Sequence, residues 1–121
     1  MSYVFSFEKL EVWIDSRDLI RKIYLITKEF PSDEKFGLTN QLRRASVSIA
    51  SNLAEGTSRA TFKDKAHFST MAFGSLMEVL NQIIIAKELN YINITEYKEL
   101  RTEIEKISNK LNALRKSQLN R

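Results

Sequence analysis

The sequence predicts an all-α protein, an antiparallel up-down-up-down four-helix bundle, and three observations predict it. Helix formers dominate a chain with only three glycines and one proline among 121 residues, which leaves little material for turns. The apolar residues Tyr97, Leu100, Ile104, Ile107, Leu111 and Leu114 alternate steps of three and four, the seam of a bundle helix. Capping and stop signals recur between long periodic stretches, and such short connections make successive helices antiparallel neighbours.

Ser6 is placed to cap a first helix from Phe7 to Phe30. Pro31 ends it, because the residue before a proline is pushed out of the helical region. Along it Leu10, Trp13, Ile20, Ile23, Tyr24, Thr27 and Phe30 supply bulk at helical spacing. Ser32 to Gly37 forms the connection. Thr39 is expected to cap the second helix and Gly56 to give its left-handed stop. After a link from Thr57 to Ala60, Thr61 and Asp64 stand in the relation of a capping box and open a third helix that runs to about Leu89. Asn90 suits its left-handed cap. Asn93 and Glu96 repeat the box for the fourth. At about 1.5 Å per residue the third helix is roughly 40 Å long and the second about 25 Å.

This length suits one domain over residues 1–121. With no cysteine there is no disulfide, thiol nucleophile or thiolate site, and the single histidine, His67, is expected as an exposed helix residue rather than a metal ligand. No metal or other cofactor is expected. No uninterrupted apolar run approaches the roughly 18 to 20 residues of a bilayer span, the longest being Ile83 to Ala86. Met1 to Phe7 lacks the features of a secretory signal. A soluble, cytoplasmic protein with no membrane partner is the expectation.

On the second helix Leu38, Leu42, Ala45, Ile49 and Leu53 form the core stripe. Nearly opposite lie Arg43, Val47, Ala50 and Ala54, and the aligned small apolar residues Val47, Ala50 and Ala54 allow another helix to come close. The third helix is apolar around roughly half its circumference, from Phe62 to Ala86, and Gly74 with Ser75 adds a place for close backbone contact. Surplus apolar surface of this kind predicts a homo-oligomer.

A second stripe on the same helix is polar: Gln41, Arg44, Ser48, Asn52 and Glu55 recur at steps of three and four beside the core face. Partly covered polar groups must find partners, so the stripe predicts a hydrogen-bond and ion-pair network. Arg44 and Glu55 are three turns apart and need separate partners. No nucleophile–base pair or carboxylate dyad can be assembled, so a catalytic reading is the weakest.

The net charge is +4, and it is concentrated. From Lys106 onward, Lys106, Lys110, Arg115, Lys116 and Arg121 meet no acidic residue. Arg43, Arg44, Arg59, Lys63 and Lys65 form a second basic group, opposed by Glu55 and Asp64. Phosphate backbones respond to such a field, and with no phosphate loop, zinc knuckle or helix-turn-helix the binding would be led by the backbone.

The stretches "FEKLEVW" (Phe7 to Trp13), "FP" (Phe30 and Pro31), "GLTNQLRRASVSIASNLAEG" (Gly37 to Gly56), "FGSLMEV" (Phe73 to Val79) and "LNYI" (Leu89 to Ile92) closely resemble the four-helix-bundle proteins encoded in intervening sequences of bacterial 23S rRNA genes. The resemblance covers nearly the whole chain. It implies a ring-shaped homopentamer without established enzymatic activity. The fold is similar to the accessory variability determinant of diversity-generating retroelements, a basic pentamer linked to nucleic acid and reverse transcriptase. Its motif falls on Gln41, Arg43, Arg44, Ser48, Asn52, Glu55 and Gly56, and it brings no verified role for any of them. The functional expectation is an oligomer that binds structured RNA, or DNA, through Arg43, Arg44, Arg59, Lys63, Lys65, Lys106, Lys110, Arg115 and Lys116. The alternative is a scaffold that recruits a partner enzyme.

Overall fold

A computed structural model describes residues 2–121. The described residues are helical without strands: α1 Glu11–Thr27, α2 Leu38–Thr57, α3 Phe62–Glu88 and α4 Ile94–Leu119, with short 3-10 turns at Ser6–Lys9 and Ser32–Glu34. Contacts between neighbouring helices fix their directions. Arg43 near the start of α2 reaches Thr27 at the end of α1, Ser48 meets Ser75, Ser69 meets Gln118, and Lys22 on α1 meets Glu103 on α4. The end of α1 meets the start of α2 and the start of α3 meets the end of α4, while Ser48–Ser75 with Gly56–Phe68, and Asp15–Lys110 with Lys22–Glu103, run in opposite chain order, so neighbouring helices are antiparallel, as the sequence predicts.

The expected core stripe of α2 is buried in full, from Leu38 through Leu53, and it packs against Leu19 and Ile23 of α1, Leu76, Val79 and Ile83 of α3, and Leu100 to Leu111 of α4. α3 is the central helix and packs most extensively on α2 and α4. One 18-residue window of it reaches a mean hydropathy of 1.3, with 39% of the window buried, so by length and composition it could cross a bilayer. Ser, Gln and Glu interrupt the pattern, which is why no long uninterrupted apolar run marks it.

Several boundaries differ from expectation. The first helix breaks at Leu10, which is extended (φ −74°, ψ 118°). Ser6 is not a cap: it lies within a 3-10 turn closed by Glu8, whose carboxylate accepts from the Phe5 amide at 2.7 Å. The break lets Phe7 fold onto Trp13, with ring centroids 5.1 Å apart. Tyr24 is exposed, and Val12 and Leu19 take the core positions beside Ile23.

Thr39 is buried inside α2 and caps nothing. Glu34 does the capping instead: its Oε1 accepts from the Leu38 amide at 3.1 Å, satisfying a donor that the helix start leaves orphaned. Gly56 is likewise inside the helix, and no glycine among the described residues has positive φ. The last carbonyls of α2 are met by Thr57 Oγ1, Ser58 Oγ and Lys65 Nζ. Thr61 caps α3 by accepting from the Asp64 amide at 3.1 Å, Asn90 sits at φ 62°, and Asn93 with Glu96 forms the expected box.

Candidate functional site

Part of each basic group, Arg59, Lys63 and Lys65 from one and Arg115, Lys116 and Arg121 from the other, meets at one end of the bundle. α2 ends there, α3 begins there and α4 ends there, because successive helices are antiparallel. Aromatic side chains of α3 hold the cations. Arg59 lies 4.5 Å over the Phe68 ring, Arg115 lies 5.1 Å over Phe73, and Phe62 carries both Arg121 at 4.8 Å and Lys65 at 5.8 Å. A guanidinium on a ring face is weakly hydrated and keeps its outer N–H groups free for an anion. Lys63 and Lys116 are exposed and form no ion pair among the described residues. The opposing charge is slight: Glu55 reaches Arg59 at 4.0 Å, and Asp64 faces solvent.

Other predicted phosphate contacts are placed elsewhere. Lys110 bonds Asp15 and Glu11 of α1, and Lys106 lies 3.5 Å from Asp15, so carboxylates distant in sequence balance them in space. These bonds, that with Asp15 foremost, raise the Lys110 pKa above the usual lysine value. Arg43 fastens α2 to α1: its Nε donates to Thr27 Oγ1 at 2.9 Å, and its guanidinium stacks 4.6 Å over Tyr24. Arg44 alone of this pair is exposed, without an ion pair or hydrogen bond from its side chain among the described residues.

The polar stripe of α2 forms only part of the expected network. Asn52 Nδ2 donates to the Ser48 carbonyl at 2.9 Å and to Ser48 Oγ at 3.1 Å, and Ser48 Oγ shares a 2.9 Å hydrogen bond with Ser75 Oγ. Gln41, Arg44 and Glu55 are exposed rather than sealed by a neighbouring helix, and Gln41 and Arg44 line a groove of about 510 Å³ between α2 and α3. Its walls are Gln41, Arg44 and Ser48 on α2, and Ser75, Glu78 and Gln82 on α3, with Phe36 at the mouth. Glu78, Gln82 and Phe36 carry no site signal of their own in the sequence pattern. The antiparallel register that pairs Ser48 with Ser75 is what marks Gln82, a polar residue in an apolar run and opposite Gln41.

Val47, Ala50 and Ala54 lie outside the core. Val47 is 38% exposed and the two alanines are partly covered. His67 is exposed, edge-on to Phe68.

A family model described as "23S rRNA-intervening sequence protein" matches residues 8–113. Among solved structures, the chain is similar to a protein of unknown function from the S23 ribosomal protein family of Bacteroides thetaiotaomicron. The TM-score is 0.80 at 19% identity, covering 87% of this chain and 98% of that one. At that identity the likeness speaks for the fold. No curated protein matches.

Proposed function

The chain belongs to the 23S rRNA-intervening sequence protein family, and from that premise we propose that it acts without enzymatic chemistry, as a cytoplasmic homo-oligomer that binds structured RNA through phosphate contacts. One observation supports this above the others: Arg59, Lys63, Lys65, Arg115, Lys116 and Arg121 gather at one end of the bundle, several of them seated on phenylalanine rings. Contacts of this type position a backbone and carry little sequence information. Self-association would repeat the patch and sum its field. The half-exposed Val47, Ala50 and Ala54 are the surface we assign to it.

The test is a titration of an RNA hairpin at about 50 mM salt, repeated as salt rises, with affinity expected to fall steeply through counterion release. No binding, or binding indifferent to salt, refutes the proposal. Light scattering supplies the second arm. A strict monomer at micromolar protein, with Val47→Glu unchanged from the parent, removes the oligomer.

A further inference from the structure

We infer that the basic end of the bundle receives an unpaired stretch of RNA, whose bases stack on exposed aromatic rings beside the phosphate contacts. The inference rests on the proposed function and names the part of the RNA that this end takes.

It begins with where the exposed rings lie. Among the described residues five phenylalanine and tyrosine side chains are exposed, Tyr3, Phe5, Tyr24, Phe36 and Phe62, and three of them belong to the cationic end. Phe62 opens α3 there, 44% exposed, with Arg121 and Lys65 at its ring. Tyr3 and Phe5 are brought there by the start of α1. Glu11, its first residue, bonds Lys110 in the second half of α4. The 3-10 turn just before it packs on α2 as well as on α1, and the antiparallel order of those helices sets it against the last turns of α2. Ring contacts then hold the segment in a row. Phe7 lies 5.1 Å from Trp13, Phe5 stacks 6.4 Å from Phe7, and Tyr3 meets Phe5 edge-on at 5.0 Å. The row starts on a partly covered indole and ends on a ring that is 77% exposed.

Apolar rings held out in water gain from a partner with a face to lay on them, and cations gain from one with negative charge. An unpaired nucleotide brings both. A duplex brings only the second, because each base face is already covered by its neighbours in the stack, so it meets the cations and leaves the rings bare. The ring contacts also fix Phe5 and Tyr3 before any strand arrives, which lowers the ordering cost of binding. Stacking of this kind tolerates any base, in keeping with phosphate contacts that carry little sequence information.

The test compares two RNAs of about a dozen nucleotides, within the usual range of single-strand site sizes: an oligouridylate, which does not pair with itself, and a blunt-ended duplex. Phosphate attraction alone favours the duplex, whose charge density is higher. Stacking reverses the order, and at matched salt the single strand is expected to bind the full chain at least about tenfold more tightly. Tyr3→Ala and Phe5→Ala should each weaken single-strand binding by roughly fivefold or more without changing its salt slope, since neither side chain neutralises a phosphate. Tyr3→Phe should keep the affinity, and Tyr3→Leu, apolar but without a ring face, should lose it as alanine does. Both side chains are exposed, so the variants keep the fold, which circular dichroism checks. Salt-dependent binding that is no tighter for the single strand, or that survives Tyr3→Ala and Phe5→Ala, overturns the inference and spares the proposed function. A leucine as good as tyrosine also overturns it. No binding of either RNA, or of a hairpin, at about 50 mM salt refutes the proposed function, and the inference falls with it.

Discussion

Gly56 of α2 and Phe68 of α3 meet so closely that a Cβ built on the glycine would lie 2.9 Å from the phenylalanine Cβ. The contact holds α3 against the end of α2, and the ring of the same phenylalanine carries Arg59. Two effects of Gly56→Ala oppose each other. Alanine gains about 1 kcal/mol of helix propensity. Against it stands a clash with a rigid Cβ, which costs typically about 1–3 kcal/mol in overpacked sites. The clash is with the root of the side chain and cannot be relieved by a rotamer change, so we expect a net loss of about 1 kcal/mol. Gly74 is the control: nothing lies within 4 Å of its would-be Cβ, and Gly74→Ala should gain roughly 0.5–1 kcal/mol. Urea unfolding of the two variants checks the pair, and equal signs would contradict the assignment.

Gln82→Met should stabilise the chain. It keeps the volume and removes the buried Oε1 that lacks a donor. The expected gain is about 1 kcal/mol, the lower part of the range for an unsatisfied buried group. A lowered thermal midpoint would mean that the amide is satisfied in solution.

The helices, their order and the α2 core stripe were legible in the sequence because periodicity and punctuation are local. What was not legible depended on contacts between distant residues. Gly56 reads as a helix stop, since glycine commonly serves there, but its use is the approach of Phe68. Thr39 reads as a cap, yet Glu34 reaches Leu38 first across a 3-10 turn. The stretch from Lys106 to Arg121 contains no acidic residue, whereas Asp15 and Glu11 stand beside Lys106 and Lys110 in the fold. Half of the groove was visible as the polar stripe of α2. Its α3 wall was hidden because Glu78 and Gln82 sit in a stretch that reads as core.

Those pairings separate two kinds of lysine. Lys63→Gln and Lys116→Gln should each lower the slope of log affinity against log salt by roughly 0.9 in RNA titrations, the decrement that removing a single phosphate neutralisation produces. Lys110→Gln should leave that slope nearly unchanged and lower the thermal midpoint instead. It strands the buried Asp15 with Lys106 alone, at 3.5 Å. A slope that falls equally for all three would show that Lys110 leaves α1 to meet phosphate.

The connection between α1 and α2 carries a pH-sensitive latch at the opposite end from the basic cluster. Glu34 Oε1 accepts from the Leu38 amide, and its Oε2 accepts from the Tyr91 hydroxyl at 2.8 Å, joining the start of α2 to the turn after α3. The Leu38 bond first, and then the Tyr91 bond, hold the Glu34 pKa below its ordinary 4.5. A carboxylate depressed in the folded state stabilises fully above its unfolded pKa, and that contribution disappears as pH falls through the folded one. Its acid limb therefore begins near 4.5 and ends lower. Tyr91 has the opposite sign: the Glu34 bond raises its pKa above 10.0, so its contribution is full below 10.0 and lost as pH climbs through the raised value. Tyr91→Phe keeps the ring beside Phe30, whose centroid lies 5.3 Å away, and should abolish the alkaline limb while preserving much of the acid one. Glu34→Gln should flatten both. Thermal midpoints measured from about pH 3 to 11 on the three proteins decide it, since these limbs fall near the ordinary carboxylate and phenol ranges. An alkaline limb that persists in Tyr91→Phe would place it on another group.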